Sequence, residues 1–100
     1  MKRRAVVFSP EARDDLLRLY DWIAVAAGSN VAMRYFDRLE AYCLGFDVAS
    51  ERGRRRDDIC AGLRIGGFEK RVTIAFTVGE NDVTISRVFY GGQDWEFAMQ

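Results

Sequence analysis

The sequence predicts an α+β fold, an N-terminal strand and an α-helical hairpin packed on a small antiparallel sheet in the order β-α-α-β-β-β. Three observations lead there. A Ser9-Pro10-Glu11 helix start follows a short β-branched run. Two apolar stripes at three- and four-residue steps are then divided by little more than Gly28. Finally, the C-terminal part alternates apolar and polar residues with a strand's period of two.

The run RAVVF, residues 4–8, suits a strand. Ser9 can cap the helix that follows. Pro10 fits its first position, where no donor is needed, and Glu11 suits the positive end of the helix dipole. Ala12, Leu16, Leu19, Tyr20, Ile23 and Ala27 fall on one face, and Gly28 ends the helix. Ser29-Asn30 opens a second helix whose stripe is Ala32, Tyr35, Phe36, Leu39, Cys43 and Phe46. So short a connection makes the two helices an antiparallel hairpin. Gly45 weakens the end of the second helix, and the stretch 50–58, SERGRRRDD, has no apolar period and reads as a solvated loop.

Three strands are expected to follow. The first is Leu63 to Ile65, ended by Gly66-Gly67. The second runs from Phe68 to Val78, with Phe68, Val72, Ile74, Phe76 and Val78 on one side and Arg71, Thr73 and Thr77 on the other. Gly79 to Asp82 turns the chain. The last strand, Val83 to Phe89, places Ile85 and Val88 on opposite faces, so its outer side should be partly covered.

At 100 residues the chain is expected to form one domain, 1–100, because a chain of this length seldom divides into two cores. It is too small for a buried cofactor pocket with a lid, and no cofactor is expected. No apolar stretch approaches the roughly 20 residues that a membrane span needs. The apolar run after the basic start, Ala5 to Phe8, is too short for a signal peptide and stops at Ser9-Pro10, so a cytoplasmic protein is expected. Net charge is zero, but residues 51–71 carry an excess of basic side chains and residues 9–50 and 72–100 an excess of acidic ones. That balance argues against strong direct nucleic-acid binding, which depends on neutralising phosphates, and leaves a basic patch for an acidic partner.

The absence of histidine removes the usual neutral-pH proton carrier and every nucleophile system that depends on it. A zinc site would need both Cys43 and Cys60 with carboxylates, an uncommon set, so no metal is expected and the two cysteines read as reduced, mostly buried thiols. Asp14 and Asp15 point about 100° apart on a helix and read as solvation. An arginine and tyrosine set remains on or beside the sheet: Arg64, Lys70, Arg71, Arg87 and Tyr90. These side chains can be exposed strand residues in ion pairs, contacts to a protein partner, or electrostatic stabilisers of a reaction.

Four phrases, in order, resemble the ParE branch of the RelE/ParE toxins of toxin–antitoxin systems. They are FSPEARDDLLRLYDWIA at 8–24, AMRYFDRLEAYC at 32–43, GLRIGGFEKRVTIAFTV at 62–78 and VTISRVFYGGQDWE at 83–96. The resemblance covers nearly the whole chain. Its most specific parts are the Ser-Pro-x-Ala-x-x-Asp-Leu opening of the first helix and the closing Arg-Val-x-(His/Tyr)-Gly-x-x-Asp phrase.

The resemblance implies a toxin of a type II, plasmid-stabilisation-like module, held inactive by a ParD-like antitoxin that wraps over the hairpin and sheet. ParE relatives poison DNA gyrase, whereas RelE relatives cut mRNA on the ribosome. Gln93 stands where the nuclease pattern has an arginine, Tyr90 where many ParE-like chains have a histidine, and no lysine-rich helix follows residue 96. Those departures favour a non-catalytic gyrase inhibitor. A ribosome-dependent endoribonuclease and an inactive toxin-fold binding protein are the alternatives. The antitoxin is expected along Leu16, Leu19, Tyr20 and Ile23 and the sheet rim at Arg64 and Arg71. The target is expected at Arg64, Arg71, Arg87, Tyr90, Gln93 and Trp95, with Gly91-Gly92 turning the chain, Asp94 capping or pairing with a sheet arginine and Trp95 packing back.

Overall fold

The computed structural model describes residues 3–47 and 53–91. Among them, Ala5–Phe8 forms β1, Pro10–Ala27 α1, Ser29–Leu44 α2, Arg54–Arg55 β2, Leu63–Phe68 β3, Val72–Val78 β4 and Asp82–Tyr90 β5. These strands make one sheet in the order β1-β5-β4-β3-β2, antiparallel except that β1 runs parallel to β5. Ala12, Leu19, Ile23, Ala32, Leu39 and Cys43 of the helices meet Ile74, Phe76, Val83, Ile85 and Val88 of the sheet in the main core. The expected element order is therefore observed, with one additional strand. No helix among the described residues is long and apolar enough to cross a membrane.

Local chemistry explains the hairpin. Ser9 is extended and its Oγ accepts the Ala12 N–H at 3.0 Å, satisfying one of the donors left over at the start of α1. Gly28, at φ +100°, donates its N–H to Ala24 and accepts from the N–H of Ala32, so one residue closes α1 and opens α2. A side chain at that φ would be strained, which is why glycine suits the junction. Ala27, expected on the apolar face, is exposed, because the α1 core ends at Ile23. After α2, Gly45 keeps a right-handed helical conformation and leads into a 3-10 turn, Gly45–Asp47, which carries Phe46 into the core.

The sheet corrects four expectations. Arg54–Arg55, read as part of a solvated loop, forms the edge strand β2 against Ile65 and Arg64. Gly66-Gly67 does not end β3, which continues to Phe68 with both glycines paired to β4. The turn lies instead at Glu69-Lys70, so Phe68 closes one strand rather than opening the next. Ile85 and Val88 share the main core, because the register slips by one residue opposite Ala75/Phe76 and Ser86 is the extra residue of a bulge. Phe89 takes the outer face, where it packs with Leu63, Ile65 and Ala75 under Ile59. The thiols also divide: Cys43 is buried, its pKa pushed up to about 12 by burial and then by Glu40, whereas Cys60 is exposed.

The β3–β4 turn is built from residues ill-suited to it. Glu69 and Lys70 have φ of 51° and 62°, the left-handed signs of a type I′ turn, and Arg71 N–H closes it on Phe68 O at 3.2 Å. The Glu69 carboxylate is committed to a two-bond ion pair with Arg38 of α2, at 2.9 and 3.2 Å. Lys70→Gly is therefore expected to stabilise the protein by about 0.5–1 kcal/mol, the left-handed strain released less the entropy of an added glycine. A lower denaturation midpoint for that variant would refute the strain account.

Arg38 also sets the titration of Glu69, holding its carboxyl below the ordinary value of 4.5 by hydrogen bonding and then by charge. A depressed folded pKa means the contribution is fully present above 4.5 and fades as pH falls through the folded value. An NMR titration should place the Glu69 midpoint below 4.5, and Arg38→Ala should return it there. An unchanged midpoint in that variant would show the pair to be incidental.

Candidate functional site

The site follows from a mismatch of strand lengths. β1 ends at Phe8, opposite Ile85, while β5 runs on to Tyr90, so the last half of β5 faces α1 instead of a strand. Backbone groups on such an edge still need partners. Ser9 meets the first of them: its N–H donates to Ile85 O at 2.9 Å and its hydroxyl donates to Ser86 O at 2.8 Å.

Asp15 meets the next. Its Oδ2 accepts the Val88 N–H at 2.9 Å and Arg87 Nε at 2.8 Å, and its Oδ1 accepts Arg18 Nη2 at 2.7 Å and Arg87 Nη2 at 3.2 Å. With only 7% of its surface exposed, it is the one charged residue buried among the described residues. Two guanidiniums and a backbone N–H supply what a buried carboxylate requires. The bond to Asp15 raises the pKa of Arg87 further, and the Arg87 guanidinium also lies 4.8 Å from the centre of the Phe89 ring. Arg87 is thus a permanent cation held in one orientation.

Beyond this clamp the strand ends in aromatic surface. Tyr90 lies 4.8 Å from Trp22 of α1, ring centre to ring centre, with the planes tilted by 53°. Arg71 bonds to Tyr90, which raises the arginine's pKa, and the Arg71 carbonyl accepts the N–H of Gly91, where φ is +70°. Behind them Tyr35 stands edge-on to Phe68 at 5.7 Å, with its hydroxyl buried and lacking a hydrogen-bond partner. Burial and then the charge of Glu69 push the Tyr35 pKa up from 10.0, so this phenol stays neutral.

Between α1 and β5 lies a cavity of about 310 Å³, lined by Asp15, Arg18, Leu19, Trp22, Arg87, Val88 and Tyr90. Its walls are apolar and aromatic and its rim cationic, a surface suited to recognising another molecule. A guanidinium cannot serve as a base, and tyrosine is a poor one near neutrality.

The expected residues separate in space. Arg87, Tyr90 and Leu19 gather at the groove, with Arg71 beside Tyr90. Arg64 is elsewhere, with Arg4 and Arg55 in a second cleft. Leu19 and Ile23 are core residues. Tyr20 packs edge-on against Phe36 at 6.2 Å, and Leu16 lines a 190 Å³ pocket with Phe8, Phe36 and Leu39. Gln93 and Trp95, like Gly92 and Asp94, lie outside the described residues.

Asp15, Arg18 and Trp22 were not anticipated. Asp15 is corrected from helix solvation to a buried ion pair, and a signal for it existed. It stands three residues after Ala12 and four before Leu19, in the middle of the buried stripe of α1. A carboxylate at such a position must find a partner across the interface.

Comparison with known proteins bears on the whole arrangement. A solved structure described as a chromosomal ParDE toxin–antitoxin (TA) system from P. aeruginosa has the same fold, with a TM-score of 0.77 at 20% sequence identity. The match covers 89% of this chain and 97% of that one. No curated protein sequence matched. The family model described as the ParE toxin of the type II toxin–antitoxin system, parDE, matches residues 6–95, from within β1 to beyond the end of β5. The chain therefore belongs to the ParE toxin family of type II toxin–antitoxin systems.

Proposed function

We propose that this protein is neutralised by a ParD-like antitoxin and acts in the cytoplasm by binding DNA gyrase, without turning over a substrate. Membership of the ParE family supports the antitoxin. One observation carries the mode of action: the arginine of the last strand, Arg87, is locked to the buried Asp15, and the surface it supports ends in Trp22, Tyr90 and Arg71. Such a surface offers shape, aromatic area and fixed positive charge, the ingredients of a protein-binding hot spot. The antitoxin would cover the same groove together with the pocket at Leu16, so that inhibitor and target exclude each other.

A supercoiling assay tests this reading. Purified protein should abolish gyrase supercoiling, the cognate antitoxin should restore it, and Trp22→Ala or Arg71→Ala should weaken inhibition by about tenfold or more, as expected for hot-spot truncations. Intact supercoiling accompanied by codon-linked cuts in ribosome-bound mRNA would replace this reading with the nuclease one.

A further inference from the structure

Beside the groove, the β3–β4 turn is gripped from α2. Arg38 holds the Glu69 carboxylate with two arms of its guanidinium, at 2.9 and 3.2 Å, and lies 5.2 Å from the centre of the Tyr35 ring. Tyr35, one turn earlier on the same face of α2, stands against Phe68. Two consecutive residues, Phe68 and Glu69, are thus fixed by one side of one helix. The ion pair itself is exposed, with 53% and 40% of the two side chains open to solvent. Screening leaves such a pair little to add to stability. A two-bond fork nevertheless sets direction, so its consequence is geometric.

The backbone shows what the pair holds. Glu69 and Lys70 both take a left-handed φ, 51° and 62°, where asparagine and glycine sit at less cost. An Asn-Gly pair would offer Arg38 no carboxylate. Strain of this kind persists where the surroundings over-determine the conformation. Arg71 comes next and carries the geometry onward: its carbonyl accepts the Gly91 N–H at 2.8 Å and its side chain bonds Tyr90. Tyr90 lies against Trp22 of α1 in the groove wall. Neither Arg38 nor Glu69 lines that groove.

We propose that Arg38 is a positioning residue for the partner-binding surface. By gripping Glu69 it holds the left-handed turn, the turn places Arg71, and Arg71 fixes Tyr90 against Trp22. These contacts link α2 to α1 across the end of the sheet. Without the pair the turn relaxes and Arg71 and Tyr90 sample several poses. A partner then meets the required surface only part of the time, and its apparent affinity falls by that fraction. The effect on target affinity rests on the reading of the groove as the gyrase-binding surface. The effect on the shape of the free protein does not.

Two readouts on the full-length protein test it. In the free protein, Arg38→Ala and Glu69→Ala should each speed hydrogen exchange of the Gly91 amide and move the Trp22 indole N–H resonance, with little change in urea midpoint. Arg34→Ala, one turn earlier on α2, removes the same charge as Arg38→Ala and should leave both signals in place. In the supercoiling assay, both pair variants should weaken inhibition by about three- to tenfold, the range for residues that act without touching the ligand. Because the two change net charge in opposite senses, a shared loss reports geometry and not attraction of the target. The exchanged pair, Arg38→Glu/Glu69→Arg, should regain most of the loss. Unchanged Gly91 exchange in both pair variants would overturn the proposal. So would weaker inhibition by Arg38→Ala with none by Glu69→Ala and no recovery in the exchanged pair, which would make Arg38 a direct contact. Wild-type protein that leaves gyrase untouched would sink the gyrase reading alone, and the Gly91 and Trp22 signals would then decide the positioning role.

Discussion

Asp15→Ala is expected to cost ~3–5 kcal/mol of folding stability, the range for breaking a buried ion pair by removing one partner. The size follows from what the carboxylate does. It stands in for the missing continuation of β1, taking the Val88 N–H that no strand reaches, and it neutralises the half-buried Arg87, while the exposed Arg18 adds a solvent-screened bond. Removal leaves a buried donor without an acceptor and a partly buried cation without a counter-charge. Asp15→Asn, which keeps one acceptor oxygen but no charge, should fall between wild type and Asp15→Ala. Urea denaturation of the single variants and of Asp15→Ala/Arg87→Ala measures the coupling, which should reach about 0.5–3 kcal/mol for residues in one network. A cost below ~1 kcal/mol for Asp15→Ala, typical of a solvated surface change, would show that the clamp does not hold β5 to α1.

This clamp joins the two most specific phrases of the sequence. Asp15 is the aspartate of the Ser-Pro-x-Ala-x-x-Asp-Leu opening, and Arg87 begins the Arg-Val-x-(His/Tyr)-Gly-x-x-Asp closing. Ser9 of the first phrase bonds Ser86, next to the second. Phrases at opposite ends of the chain are thus two halves of one interface, in which the start of α1 completes the edge of β5. Their joint presence is explained by architecture, without any appeal to chemistry on a substrate.

The fold was legible because its signals are local. The cap at Ser9, the glycine at 28 and the stripes of both helices act within a turn or two, and they placed α1 and α2 correctly. What escaped was set by contacts between distant segments. Gly66 and Gly67 read as stops because glycine weakens an isolated strand. In the sheet, however, both glycines are paired to β4, and Gly66 lies beneath the rings of Phe46 and Phe76, so the strand is held by its neighbours and not by its own propensity. The bulge at Ser86 carries no local signature, and one extra residue reverses the facing of everything after it, which moved Val88 into the core and Phe89 out of it. Of the site, the arginines and Tyr90 were visible by residue type. Their grouping was not, since Arg64 and Arg87 share a sheet yet line different clefts.

Phe46→Ala is expected to cost ~3–5 kcal/mol, as large as the loss at Asp15 but through a cavity instead of a charge. Phe46 is fully buried, stacked on Phe76 with ring centres 4.4 Å apart and planes 21° apart, and meets Tyr42 at 5.4 Å. It is delivered to the core by three residues of 3-10 turn, with a glycine on its N-terminal side, so little else in that segment can fill the space it would leave. Leu44, two residues earlier and 48% exposed, is the control: Leu44→Ala should stay within about 0.5 kcal/mol of wild type. Phe46→Leu, which keeps part of the volume, should lie between. If Phe46→Ala and Leu44→Ala unfolded at the same denaturant concentration, the end of α2 would not be anchored in the core. Because Phe46 does not line the α1–β5 groove, its loss should lower the amount of folded protein while leaving each folded molecule's affinity for a partner unchanged, and Trp22→Ala should do the reverse.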